Sequence, residues 1–214
     1  MNILCINTAF NQTYVALQSG EAVKTKTMDS SLKQSENVLG AVDECLSSLN
    51  LKVADLDVIA CVIGPGSFTG IRIGASLAKG FCMACPKIKK IQVNSLDLIA
   101  YTYEKAYNPK KDFWCAINGL SGNVFACKYD HMGQELLAPC MLSGEEINTL
   151  CGQVVGLKDE QFDICNKFVE FDANTLLSFV NKKILDNEFY DDFTPLYLRK
   201  SQAEAELEKK NANC

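Results

Sequence analysis

The stretch Gly64-Pro65-Gly66-Ser67-Phe68-Thr69-Gly70-Ile71-Arg72-Ile73-Gly74 carries the most chemical promise in the sequence. Glycines at the end of a strand permit positive φ and close backbone approach. The loop then delivers amides to the start of a helix, where an anion is favoured. The candidate phosphate or nucleotide contacts are Gly64, Gly66, Ser67, Thr69 and Gly70, together with Asn7 and Thr8 in the turn after the first strand. No Lys-Ser/Thr pair follows Gly70, so this is not a P-loop, and the third glycine falls one place late for the dinucleotide fingerprint. Two readings stay open on the residues alone: a phosphate site, and a tight strand-to-helix turn that binds nothing.

The other candidates for chemistry are poorer. Cys82-x-x-Cys85 has no second CxxC and no histidine pair to complete a four-ligand zinc site, so it reads as two helix cysteines. The single histidine, His131, sits in the polar turn Asp130-His131-Met132-Gly133 and reads as a solvated hairpin residue. The acidic pairs Asp43/Glu44, Asp55/Asp57 and Asp191/Asp192 read as solvated faces or caps. No catalytic set and no metal site can be assembled from these residues.

The elements that must position the glycine stretch are legible from periodicity. Asn2–Ile6, the alternating segment around Tyr14–Ser19 and Val23–Met28 read as three strands of a meander. Ser31 and Gln34 form a capping box, and Leu32, Val38, Leu39, Val42, Cys45, Leu46 and Leu49 cover an arc of roughly 140° on the helix that follows. Val58–Ile63 is a nearly continuous apolar strand of the kind covered on both faces. A second helix is expected from about Ile71 to Cys85, a strand at Ile88–Val93, and a third helix capped by Asn94 or Ser95 and reaching about Tyr107. Asn108-Pro109-Lys110-Lys111 is the best domain boundary. Beyond it, Phe113–Ile117, Val124–Tyr129, Glu135–Met141 and Gln153–Leu157 read as strands. Ser143 with Glu146 caps a helix, Ala173–Leu185 is another, and Ser201 with Glu204 caps a last charged helix ending in a polar tail. The pattern predicts an α/β fold of mixed sheets flanked by helices, with a lobe at 1–107, a smaller lobe at 108–194 and a C-terminal segment at 195–214.

Within the second helix Gly70, Gly74 and Ala78 stand four apart, which lets another backbone approach closely. That backbone is either the chain's own sheet or a neighbouring helix. Taken with the wide arc of the first helix, these positions nominate an interface made of Leu32, Val38, Leu39, Val42, Leu46, Gly70, Gly74 and Ala78.

Composition bounds the rest. The chain has 214 residues, 48% of them hydrophobic and 22% charged, which supplies a core and excludes global disorder. The formal net charge is −5, which disfavours tight nucleic-acid binding by this chain itself. The 11 cysteines are odd in number and scattered, and read as reduced thiols. No apolar run reaches the ~20 residues of a membrane span and no signal peptide precedes the first strand, so a cytoplasmic location without membrane association is expected.

At the glycine stretch the sequence resembles the TsaB (YeaZ) family, a subunit of the machinery that forms threonylcarbamoyladenosine in tRNA. Ile3-Leu4-Cys5-Ile6-Asn7-Thr8-Ala9 is similar to that family's first strand and turn, with Asn7 where Asp is usual. Pro195-Leu196-Tyr197-Leu198-Arg199 resembles its closing signature. Asn118-Gly119-Leu120 and Asn123-Val124-Phe125 depart from its Asp-Ala-Arg and Glu-Val-Tyr. The resemblance implies an actin-like ATPase (ribonuclease H-like) fold of two related lobes and a partnership with the catalytic paralogue, TsaD. Where TsaD carries its metal-binding histidines this chain has Ser95-Leu96-Asp97-Leu98-Ile99. The resemblance further implies a TsaE-type ATPase in the same assembly, ATP or ADP at the partner interface, tRNA contacted only through the complex, and a homodimer when the partner is absent. The expected function is a non-catalytic dimerisation subunit. The alternative is a small ATPase or phosphotransferase of the actin and sugar-kinase superfamily, which calls for an acidic residue where Asn7 and Asn118 stand.

Overall fold

The computed structural model describes residues 1–29, 34–158 and 163–198, with α1 side chains from residue 37 onward. Strands β1 (Asn2–Asn7), β2 (Gln12–Ser19), β3 (Ala22–Asp29), β4 (Val58–Gly64) and β5 (Lys89–Asn94) form one sheet in the order β3-β2-β1-β4-β5. The meander β1-β2-β3 is antiparallel, and β4 and β5 add to β1 in parallel. Strands β6 (Phe113–Asn118), β7 (Asn123–Tyr129), β8 (Glu135–Ser143), β9 (Gln153–Leu157) and β10 (Lys167–Val169) form a second sheet with the same plan, β8-β7-β6-β9-β10. Again three strands meander antiparallel and two join in parallel. The two sheets are therefore repeats of one topology.

Four α-helices among the described residues fill the layers. On one face of the first sheet, α1 (Gln34–Ser48) and α2 (Phe68–Ala84) pack Val38, Val42, Cys45, Ala75 and Ala78 against Leu4, Ile6, Val15, Ile59 and Cys61. On the other face, α3 (Ser95–Tyr107) contributes Leu98 and Tyr101, and α4 (Ala173–Leu185) contributes Leu176, Leu177 and Val180. The opposite side of α3, with Leu96, Ile99, Ala100 and Tyr103, packs on the second sheet. Helix α3 is thus held between the sheets, and α4, which follows the second sheet in sequence, docks on the first. The outer face of the second sheet, around Trp114, Ala116 and Val154, is covered by Ile147 and Leu150 in and after a 3-10 helix at Gly144–Thr149.

Local chemistry accounts for the boundaries. All of β4 is buried, as a strand with helices on both faces requires. The exposed edge strand β3 carries Lys24 and Lys26, charges that discourage pairing with another sheet. Asn94 caps α3 by accepting from the Leu96 amide at 2.8 Å, and Asn108 ends it in the left-handed region at φ 45°. The expected capping box at Ser143 and Glu146 is present, but it opens the 3-10 helix rather than an α-helix. Strand β10 has only three residues, too few for an alternation to register in the sequence. Helix α2 begins at Phe68 rather than Ile71, because the Ser67 hydroxyl accepts from the Gly70 amide and caps it. The caps expected at Ser31 and at Ser201–Glu204 lie outside the described residues.

A strap closes the described chain. The Tyr190 amide donates to the Lys90 carbonyl at 2.9 Å, Lys79 pairs with Asp192 at 2.8 Å, and Phe193 is fully buried beneath α2. The Leu196 amide donates to the Ile63 carbonyl at 2.9 Å, which seats the strap beside the glycine loop.

Candidate docking face and glycine loop

The structure brings the loop candidates together, and the Ser67 and Gly70 amides and the Thr8 hydroxyl donate inside the chain. A Cβ built on Gly70 would lie 1.8 Å from the Thr8 carbonyl oxygen, and one on Gly66 would lie 2.5 Å from that of Ala9. The glycines are what allow the β1–β2 turn to touch the start of α2. The Ser67 amide donates to the Ala9 carbonyl at 2.8 Å, the Gly70 amide to Ser67 Oγ at 3.2 Å, and Thr8 Oγ1 to the Gly70 carbonyl at 2.6 Å. Asn7 and Thr8 are fully buried, Gly64 is buried at the strand end, and Thr69 faces outward on α2. Of the two readings open in the sequence, the close-packed turn is the one this geometry supports.

The ends of the two first strands match. Asn7 Oδ1 accepts from the Ala9 amide at 3.0 Å, and Asn118 Oδ1 accepts from the Leu120 amide at 2.9 Å. Both are Asx turns at equivalent places in the repeat. Neither side chain brings negative charge, and the buried Asn7 Nδ2 has no partner among the described residues. A phosphate with its metal needs anionic metal ligands and unspent amides. The residues here do not fit that group.

At Ser95–Ile99, Ser95 Oγ is buried without a partner among the described residues, and Asp97 accepts from the Tyr129 hydroxyl at 2.7 Å. Burial holds the Asp97 carboxyl above its ordinary range, against the opposing pull of that hydrogen bond and of Lys183. Among the described residues no cluster of His, Cys, Asp and Glu is arranged to hold a metal ion. Cys82 is buried in the α1–α2 core, and its thiol is pushed up by that burial. Burial likewise pushes the Cys61 thiol up to about 12. These are inert packing thiols.

The nominated interface is redistributed. Val38, Val42 and Leu46 are at most 5% exposed and packed on the chain's own sheet. Gly70 abuts the Thr8 backbone, a Cβ on Gly74 would lie 2.4 Å from Thr8 Oγ1, and Ala78 is fully buried. The close approach allowed by the small track is therefore to β1 and its turn, and these residues are not on the free surface. Leu32 lies outside the described residues. Leu39 stays outside the core, 51% exposed.

It borders a shallow groove between the helices, lined also by Phe68, Arg72, Ile73, Ser76 and Leu77. The Arg72 guanidinium carbon lies 3.7 Å from the centroid of the Phe68 ring, and Arg72 Nε donates to the Tyr197 hydroxyl at 2.9 Å. The Phe68 and Tyr197 rings are 5.3 Å apart. The groove residues on α2 were missed in the sequence, although a usable signal was present. With Gly70, Gly74 and Ala78 turned to the sheet, positions 68, 72, 73, 76 and 77 must turn away from it.

A repeated five-stranded sheet with this strand order, the helix between the sheets and a hairpin turn against a glycine loop define the actin-like ATPase class of fold. Residues 28–183 match the protein family described as TsaD, tRNA N6-adenosine threonylcarbamoyltransferase. The chain is 29% identical over 127 residues to the tRNA threonylcarbamoyladenosine biosynthesis protein TsaB of Buchnera aphidicola subsp. Acyrthosiphon pisum, covering 59% of this chain and 57% of that protein. It is also 29% identical over 129 residues to the Escherichia coli protein of the same name, covering 60% of this chain and 55% of that one. The matched stretch thus spans less than two thirds of these relatives' own length. In structure it superimposes on YeaZ from Pseudomonas aeruginosa with a TM-score of 0.72 at 18% identity, over 92% of this chain and 99% of that one. The chain belongs to this family, among its TsaB (YeaZ) members. No helix among the described residues is long and apolar enough to cross a membrane.

Proposed function

We propose that this chain is a non-catalytic subunit of the machinery that forms threonylcarbamoyladenosine next to the tRNA anticodon, and that it docks a TsaD-type transferase through the outer face of α1 and α2. The observation that carries the reading is the conjunction of a retained scaffold with spent chemistry. The Ser67 and Gly70 amides of the glycine loop are bonded within the chain, and the first strands of both sheets end in neutral asparagines. His131 is exposed in its turn. What remains available is a face with Leu39 and Phe68 51% and 45% exposed.

In this reading 1–107 and 108–194 are the two lobes, and 195–214 is an appended segment that begins on the docking face. The same face forms a homodimer when the transferase is absent, so the two assemblies exclude each other. A TsaE-type ATPase joins the complex, ATP or ADP is held at the partner interface, and tRNA is met only through the complex. A phosphotransferase of the sugar-kinase type is not favoured, because Asn7 and Asn118 supply no metal ligand charge.

The test is co-elution and calorimetric binding with a purified TsaD-type protein, using the parent chain and Leu39→Asp. An aspartate desolvated without a partner costs several-fold to many-fold in affinity. The expected outcome is a stable heterodimer with the parent and none with the folded variant. Equal binding by both removes the face from the interface.

A further inference from the structure

We propose that the seam between the two sheets is a lock and not a hinge: the hydrogen bond from Tyr129 to Asp97 stops the second sheet from sliding over α3, so the chain holds one arrangement of its lobes. A lock at this seam is independent of which face a partner covers.

Two-lobed proteins close on a ligand by hinge or by shear. In a hinge a few linker residues absorb the rotation, and in shear packed helices slide a short way over one another. The hinge route is obstructed at both crossings of the chain between the sheets, 108–112 and 170–172. In the first, Pro109 has a fixed φ and follows Asn108, which closes α3. In the second, the Phe171 ring is held 5.3 Å from that of Phe10 in the β1–β2 turn and 5.7 Å from that of Tyr14 in β2. The next residue, Asp172, is engaged as the cap of α4.

The shear route runs along α3. One side of this helix is set in the core of the first sheet and the other in the core of the second, and Leu157 of β9 packs against both. Towards the first sheet, α3 is fixed by polar contacts as well. The Tyr101 hydroxyl and Ser178 Oγ are 2.8 Å apart, which ties α3 to α4, and Asn181 of α4 donates to Gln18 of β2 at 2.9 Å. Towards the second sheet, Leu96, Ile99, Ala100 and Tyr103 offer an apolar surface, which alone permits sliding. Among the described residues, the side-chain hydrogen bond across that contact is the one from the Tyr129 hydroxyl to Asp97 Oδ1, at 2.7 Å. A bond of that length and direction fixes one register, where an apolar contact tolerates several.

The residue types point the same way. Tyr129 is 2% exposed, and Asp97 is half-buried. Burying a phenol against a carboxylate carries a desolvation cost that two apolar side chains would not. The apolar cluster around α3 already holds the sheets together, so what the polar pair adds is alignment. The other charged groups around Asp97 are Lys182, Lys183 and Glu188. Lys183 is buried and paired with Glu188.

Residual dipolar couplings of the backbone amides test the lock, because they report the order of each sheet separately. They would be measured on the full chain as parent, Tyr129→Phe, Asp97→Leu and Asp97→Asn. In the parent, β1–β5 and β6–β10 should fit one alignment tensor with the same degree of order. Tyr129→Phe keeps a ring stacked on Phe113 and removes only the donor. The second sheet should then lose about a quarter of its order relative to the first, the loss that excursions of roughly 25° produce. Asp97→Leu removes the acceptor and should loosen the seam alike, which keeps the lock testable where Tyr129→Phe does not fold. Asp97→Asn still offers Tyr129 an acceptor and should stay as rigid as the parent, whatever it does to stability. Couplings that remain consistent within each sheet show that a variant is folded. Unequal order in the parent, parent-like rigidity in a folded Tyr129→Phe or Asp97→Leu protein, or a loosened Asp97→Asn overturns the lock.

Discussion

Replacing Gly70 by alanine tests what the glycine loop is for. The added Cβ would lie 1.8 Å from the Thr8 carbonyl oxygen and 3.0 Å from its carbon. Both are backbone atoms at the end of β1, so relief requires the β1–β2 turn to move away from α2. That movement breaks the bond from Thr8 Oγ1 to the Gly70 carbonyl and strains the one from the Ser67 amide to Ala9. Overpacking of this kind costs about 1–3 kcal/mol, and each buried hydrogen bond lost adds about 1 kcal/mol. Alanine returns about 1 kcal/mol through its better helix propensity. The net expectation is a loss of about 1–3 kcal/mol, or a fall in Tm of about 2–12 °C for a chain of this size. Equilibrium urea unfolding followed by far-UV circular dichroism and by the fluorescence of Trp114 reads it directly. Gly40→Ala is the control, since nothing lies near its added methyl, and it should stabilise the monomer by about 0.5–1 kcal/mol. Inorganic phosphate should leave the melting of the parent unchanged, because the Ser67 amide is bonded to the Ala9 carbonyl, the Gly70 amide to Ser67 Oγ, and no cationic or metal-binding side chain stands at Asn7. A Gly70→Ala protein within about 0.5 kcal/mol of the parent, or a phosphate-dependent rise in Tm that this substitution removes, would refute the reasoning.

Three further outcomes are expected. Asp172 caps α4: burial works to raise its carboxyl, but hydrogen bonds from the Thr175 amide and hydroxyl outweigh it and hold the carboxyl below its ordinary range. Its contribution is therefore present above the ordinary carboxylate range and lost as pH falls through the lowered value; Asp172→Ala should cost about 1 kcal/mol at neutral pH in urea melts, with a smaller difference in acid. Asp97 behaves oppositely, since burial raises it: stability falls as pH rises from the ordinary carboxylate range through the raised value. Asp97→Asn, which can still accept from the Tyr129 hydroxyl, should flatten that slope and move the neutral-pH midpoint to higher urea; a midpoint moved lower would contradict the burial argument. Elemental analysis should find zinc well below one per chain, and a tightly held zinc lost on Cys82→Ser would overturn the packing role given to that thiol.

The strands were legible because their neighbours impose a simple pattern. Val58–Ile63 is apolar throughout because β4 is covered on both faces, and the end of α3 was marked by Asn108 and Pro109. The helix expected after Ser143 and Glu146 is a six-residue 3-10 helix, a type the sequence did not distinguish because a capping box specifies a start and says nothing about how far a helix continues. The site was harder for a similar reason. The arc Val38-Val42-Leu46 and the track Gly70-Gly74-Ala78 announce an apolar face and a close approach, but periodicity does not say what covers them. In the folded chain both are covered by the first sheet and its turn. The docking face is what those contacts leave over, and its arginine is positioned by Tyr197, a residue 125 positions away in sequence. No local pattern encodes a pairing of that range.

The central claim, a scaffold that supports a partner's chemistry through the α1–α2 face, is tested most directly by reconstitution. Formation of threonylcarbamoyladenosine on tRNA would be measured with a purified TsaD-type transferase, a TsaE-type ATPase and threonylcarbamoyl-adenylate, adding in turn no further protein, the parent chain and Leu39→Asp. The account predicts modification that rises with the parent chain, stays at the basal level with the folded variant, and is absent when the chain is supplied without the transferase. Modification by the chain alone, or equal stimulation by Leu39→Asp, would contradict it.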